Sequence, residues 1–324
     1  MAAAGIRAVY RRWLDRRMPA ARQQQLTQRR IFILPTGYGV FFMVIAGGLF
    51  LGGINYENNL IMALSFLMTS LFMIAILHTF RNLSGLVLRA GRTAPGFAGT
   101  DGALELVLHA GDQHAHTGIW LAYPGAAAEE VSVAPGEEKS VWLSMPLRRR
   151  GYNRAGRVRI ESRYPLGLLR AWSLLDMDQA CLGWPRPLPN EECPAGGGEQ
   201  RQGQYAGRQR GSDDFQGLRT YQEGDSPRQV DWKAYAAGRG LHSKHFADPA
   251  EGWLWLDWSL LPAMDTETRL GRLAWWVLAL EQRQQRYGVR LPGAELPPAL
   301  GADQRRRALD LLGQYGEHAP GEER

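Results

Sequence analysis

Residues 38–77, YGVFFMVIAGGLFLGGINYENNLIMALSFLMTSLFMIAIL, decide how the rest of the chain must fold. Two runs, 38–54 and 59–77, contain no Asp, Glu, Lys or Arg and are separated only by NYEN. Each is close to the roughly 20 residues that cross a bilayer as a helix. Two buried core helices would share this composition. A pair of uncharged runs joined by so short a connector instead predicts a helical hairpin, because a bilayer forces each backbone to pair with itself. The first run begins only at Tyr38, too late for the apolar part of a cleaved signal peptide, so both spans are expected to persist.

Working outward, the flanks set an orientation. Arg7, Arg11, Arg12, Arg16, Arg17, Arg22, Arg29 and Arg30 precede the first span, while Arg81, Arg89 and Arg92 follow the second. The connector offers only Glu57. The positive-inside rule therefore predicts both termini in the cytoplasm, with membrane lipids as partners. The net charge of +6 and the isoelectric point near 9.5 then read as an orientation and headgroup signal. No nucleic-acid-binding motif accompanies them, so no nucleic-acid partner is expected. Cys181 and Cys193 are the only cysteines, are not spaced as a pair, and read as unpaired thiols.

Past the spans the pattern changes. LSGLVLRAG, ALELVLHAG, GIWLAYP, EEVSVAPG, KSVWLSMPL and GRVRIESRYPLGLLRAW, between residues 83 and 172, are short alternating or β-branched runs punctuated by Gly and Pro. They predict an antiparallel β-sandwich. His109, His114 and His116 lack carboxylate or cysteine neighbours at ligand spacing and read as surface histidines. PAGGGEQRQGQYAGRQRGS, 194–212, reads as a flexible linker. It lacks the strand, helix and Lys-Ser/Thr ending of a phosphate loop, so no nucleotide site is expected.

In the last third, GWLWLD (252–257) is an apolar strand ending in Asp257. A helix from about Thr266 to Tyr287, a strand at GVRLPG and a helix from about Asp303 to Tyr315 follow. Strand, helix, strand, helix predicts a doubly wound α/β domain whose ligands sit outside the carboxyl ends of the strands. Asp257 and Ser259 fall there.

Before that strand stands FQGLRTYQEGDSPRQVDWKAYAAG, 215–238. Ser226 as N-cap, Pro227 at the first position and Gln229 in a capping box predict a helix to about Ala237. The cluster of Arg219, Tyr221, Gly224, Asp225, Pro227, Arg228, Asp231, Trp232 and Lys233 is the candidate site. Asp225, Ser226 and Asp231 are assigned to organising the fold; Arg219, Trp232 and Lys233 are assigned to a partly exposed face, since Arg, Tyr and Trp are enriched at binding hot spots. A nucleophile is hard to assemble, because Ser243 with His242 and His245 is spaced like a strand and has no oxyanion turn.

The ordered Gly-Leu-Arg, Tyr, Gly-Asp, Pro-Arg and Asp-Trp-Lys elements, followed by a strand ending Asp-x-Ser, resemble the bacterial family of domain of unknown function fifty-eight. The similarity runs from the hairpin through SRYPLGLLRAW to YGVRLPG. It implies a membrane-anchored multi-domain chain with two transmembrane helices, an antiparallel β-sandwich and an abbreviated α/β von Willebrand factor A-like domain. It also implies the bacterial cytoplasmic (inner) membrane as the location, and partners, a MoxR-type AAA+ ATPase and a transglutaminase-like membrane protein. The expected domain plan is a basic cytoplasmic segment 1–33, the hairpin 34–80, the sandwich 81–182, a Gly-rich linker 183–212 and the von Willebrand-like domain 213–324.

The sequence departs from a metal-binding von Willebrand A site, because Leu261 stands where the second serine would be. Asp257 and Ser259 are the candidate metal residues and Mg²⁺ the candidate ion. The preferred expectation is no cofactor, with Asp257 capping the next turn. The functional expectation is a non-catalytic inner-membrane adaptor that links the ATPase to membrane or envelope components. The alternative is a metal-dependent or hydrolase-type enzyme using Asp257 and the 219–233 cluster.

Overall fold

The computed structural model describes residues 19–112, 114–197, 215–220, 242–246 and 253–316. The chain divides into two compact units, one within Met1–Arg186 together with Leu312–Arg324, the other within Pro187–Leu311.

In the first unit, β1 (Gln23–Gln25) and β2 (Phe32–Pro35) precede α1 (Gly37–Asn55) and α2 (Asn59–Arg81). There follow β3 (Val87–Ala94), β4 (Gly96–Phe97), β5 (Asp101–His109), β6 (His116–Ala122), β7 (Glu129–Val133) and β8 (Glu138–Pro146). β9 (Gly151–Arg154), β10 (Arg157–Ser162), β11 (Leu169–Asp176) and β12 (Ala180–Trp184) complete it. The sheets run β1-β3-β5-β8, β2-β11-β10-β6-β7 and β4-β12-β9, antiparallel except where β4 meets β12. Period-2 alternation turns Leu104, Leu106 and Leu108 of β5 inward, with Ile119 and Leu121 of β6 and Val158 and Ile160 of β10. All seven join one core. Burial of each such side chain is worth about 1.5–3 kcal/mol, so this core, not strand propensity, fixes the register.

The expected basic segment 1–33 contributes strands: Gln23–Gln25, and Phe32–Pro35 at its end, join the two main sheets. Gln24 is buried although polar, because its amide donates to the backbone carbonyls of Asp176 and Pro19 and accepts from Arg30. His116 is likewise buried, against the expectation of a surface histidine.

The two helices are long and apolar enough to cross a membrane. At 1.5 Å per residue, their 19 and 23 residues span about 29 and 35 Å. Thr36 caps α1 by accepting from Gly39 N at 3.1 Å, and Asn58 caps α2 by accepting from Leu60 N at 3.0 Å. Gly39, Ala46 and Gly53, seven apart, are the buried residues of α1. A Cβ at Gly53 would lie 2.7 Å from the Met62 side chain, and the Ser65 hydroxyl donates to Ala46 O at 2.8 Å. Small residues thus allow close approach, as between helices in lipid. Only 17% and 11% of the two most apolar windows are buried, so these are not core helices of a soluble domain.

In the second unit, β13 (Ala195–Gly197), β16 (Leu254–Asp257), β17 (Tyr287–Leu291) and β18 (Ala294–Ala299) form one sheet in that order. β14 (Phe215–Thr220) and β15 (His242–Phe246) form a separate antiparallel pair. α3 (Thr266–Gln282) carries the chain from β16 to its parallel neighbour β17, as the strand-helix-strand pattern predicts. α4 (Ala302–Gln314) follows β18. Asp265 caps α3 by accepting from Thr268 N at 2.9 Å, and Leu270, Leu273, Ala274, Val277 and Leu280 form its buried face. The helix stops at Gln282, short of Tyr287, because Gln284 takes φ +52° and Tyr287 is buried at the start of β17.

Two expectations change in this unit. The sheet is mixed, since β13 and β18 pair antiparallel on its edges. The expected linker 183–212 contains the end of β12 and all of β13, with irregular chain at 185–194 between them.

Candidate functional site

β16 and β17 run in parallel register with Asp257 opposite Arg290 at their carboxyl ends. Asp257 Oδ1 accepts from the Ser259 amide at 2.8 Å and from its hydroxyl at 2.7 Å, which caps the short turn Trp258–Leu260. Oδ2 lies 3.6 Å from Arg290 Nη1. Arg290 also donates through Nε to Glu295, and its guanidinium lies over the Trp255 ring at 4.6 Å. Burial alone would raise the Asp257 carboxyl, but the Ser259 hydroxyl and amide, and then Arg290, outweigh it and hold Asp257 below the usual carboxylate range. The hydrogen bond to Glu295 leads the causes that push the Arg290 guanidinium up.

The chain's own groups already engage this donor set. The Ser259 proton points at the carboxylate a metal would need, Leu261 is buried, and an ion at Asp257 would meet the charge of Arg290. A guanidinium of the chain itself supplies the positive charge. Among the described residues no group of three or more His, Cys, Asp or Glu stands at metal-holding distance. Arg290, Glu295 and Trp255 are absent from the sequence reading. The signal for Arg290 was a lone charge in the otherwise apolar strand YGVRL, whose remaining residues are buried.

Of the 219–233 cluster, Arg219 lies on β14, where its backbone pairs with Ser243 of β15. Thr220 pairs with His242 and Gly217 with His245, so the 242–246 segment is the strand its spacing predicts. Tyr221, Gly224, Asp225, Ser226, Pro227, Arg228, Asp231, Trp232 and Lys233, and the expected helix they begin, lie outside the described residues.

A second polar site, which sequence reasoning missed, joins the helical hairpin to the sandwich. Asn82, the C-cap of α2, is buried. Its Nδ2 donates to Thr117 O and to Ser162 Oγ, each at 2.7 Å, and its Oδ1 accepts from Thr117 N at 2.8 Å. His116 Nδ1 lies 2.8 Å from Asn82 O. Burial lowers the His116 pKa, the bond to Asn82 O opposes this, and the nearby His114 adds to the lowering. Nearby, Thr79 Oγ1 donates to Tyr164 O at 2.8 Å, and Thr36 Oγ1 donates to Gly167 O at 2.7 Å. The sequence signal was an Asn directly after the last residue of an apolar helix.

Cys181 and Cys193 are both free, and burial pushes each thiol up to about 11. Neither is poised as a thiolate nucleophile at neutral pH. No protein-family model matches the chain, and no curated protein matches it.

Proposed function

We propose that the chain is a non-catalytic adaptor anchored in the bacterial cytoplasmic membrane by α1 and α2, with both termini and both units on the cytoplasmic side. One observation carries the reading: two apolar helices stay open along their length yet are hydrogen-bonded at one end to a β-sandwich. A bilayer covers such helices, and the arginines on either flank favour the cytoplasm for the sandwich end. The parallel β16–α3–β17 unit with Asp257 at its strand end supports a von Willebrand factor A-like character for the second unit. The partner read from the family resemblance is a MoxR-type AAA+ ATPase, with a transglutaminase-like membrane protein as a further component. The closed Asp257–Ser259–Arg290 arrangement and the protonated thiols favour binding over catalysis.

Two measurements test this reading. A cysteine placed at residue 55 is expected to be labelled from outside intact spheroplasts, and one at residue 200 only after membrane disruption. Labelling at 200 in intact cells overturns the orientation. Trp232→Ala or Arg219→Ala is expected to weaken capture of the ATPase while the thermal melt stays within about 0.5 kcal/mol of the parent. Normal capture by both variants removes the 215–238 segment from the interface.

A further inference from the structure

The 163–168 loop, RYPLGL, joins β10 to β11 and lies where α1 begins and α2 ends. Three carbonyls pin it there. Tyr164 O accepts from Thr79 Oγ1, Gly167 O from Thr36 Oγ1, and Leu168 O from Thr36 N at 2.9 Å. The contact is tight, since a Cβ at Gly39 would lie 2.0 Å from Leu168 O. If the helices span a bilayer, the loop lies at its surface.

The side chains at this level match that position. Leu166 is 50% exposed and Tyr164 43%, although the sandwich has a well-filled core for apolar groups. Tyr38, 80% exposed, and Leu34, 58% exposed, lie on either side of Thr36 at the start of α1. Aromatic and apolar side chains at the end of a span are the usual interfacial belt. Next to them lies an unbalanced charge cluster. Glu161, 8% exposed, takes Arg159 at 2.6 Å, Arg163 at 3.1 Å and Arg170 at 3.0 Å, so three guanidiniums share one carboxylate. Two positive charges are left over. The Glu161 ties hold the arginines in place, and their remaining N–H groups suit phosphate oxygens.

We propose that Arg163 and Arg170, with Tyr164 and Leu166 dipping between acyl chains, form a binding surface for anionic phospholipid headgroups on the sandwich side of the membrane. The surface rests on the reading of α1 and α2 as membrane spans. It recognises lipid by paired chemistry: guanidinium to phosphodiester, and an apolar tip to the first methylenes below it.

The test uses the full chain in proteoliposomes, with Cys193→Ser to clear the more accessible thiol and an environment-sensitive fluorophore on Leu166→Cys or, separately, on Leu67→Cys in α2. Both exchanges fall at exposed positions, so folding is not at stake. Mid-chain spin-labelled lipid is expected to quench the probe at 67. Headgroup-labelled lipid is expected to quench the probe at 166, with phosphatidylglycerol effective at a lower mole fraction than phosphatidylcholine by about fivefold per arginine. Arg163→Gln with Arg170→Gln is expected to erase that preference, and the lipid-composition arm stands without any arginine variant. Quenching at 67 with none at 166, or equal quenching at 166 by both lipids, overturns the headgroup surface and leaves the spans intact. Absence of quenching at both positions overturns the spans, and the surface with them.

Discussion

The polar cluster at the end of α2 and the one at the end of β16 use the same kind of parts, yet they answer to different physics. Asn82 closes a largely buried network in which the wholly buried Ser162 hydroxyl has no water to fall back on. Asp257 closes an open one, where Ser259 and Arg290 stay within reach of solvent. A hydrogen bond gains little in either place, but a partner stranded in the dry site costs its full desolvation. The amide that fastens the hairpin to the sandwich should therefore matter more than the carboxylate at the position where α/β proteins bind ligands.

The contrast breaks first on substitution. Asn82→Ala is expected to destabilise the first unit by about 2 kcal/mol, because it deletes the three hydrogen bonds of a buried amide and takes one partner from the wholly buried Ser162 hydroxyl. Asp257→Ala is expected to cost about 1 kcal/mol, the usual loss of a capping side chain. Thermal melts of the two variants in the same detergent decide it, and equal losses would end the comparison.

Acid sharpens it next. His116 has its folded pKa lowered mainly by burial, so its neutral form is favoured in the native state. Its contribution is fully present above the unfolded pKa of about 6.5 and is lost as pH falls below that value. Melts from pH 7.5 to 5.5 are expected to show a decline that His116→Gln flattens. Asp257 is also depressed, but its contribution lies above the carboxylate range and is lost only in much stronger acid.

The smallest expected effect is that of a metal. With Arg290 facing Asp257, millimolar Mg²⁺ or Mn²⁺ is expected to leave the melting temperature unchanged, since only an ion that binds the native state raises it. A saturable shift that disappears in Asp257→Ala would return the strand end to the cation-binding reading.

What was legible in the sequence follows from what hydropathy can register. α1 and α2 register as unbroken apolar runs, and the strands β5, β6, β7, β8, β10 and β11 and the helix α3 bury apolar side chains at a regular period. β1 does not: its one buried residue is Gln24, which backbone carbonyls satisfy. β18 was hidden by Pro297 and Pro298, which a strand tolerates at a sheet edge, and β18 is an edge. At the candidate site, Asp257 and its turn-capping role were readable from local spacing. Arg290 was not, because its place opposite Asp257 depends on a parallel register set by a helix of seventeen residues.

The connections of the hairpin have a mechanical consequence. A single residue, Thr36, separates β2 from α1, and Asn82 follows α2 directly with its side chain locked into the sandwich. Neither joint has slack to absorb a pull. A machine that grips the sandwich and tugs would therefore put its load on α1 and α2 together, and any tilt of the pair would be geared to rotation of the β-sheets.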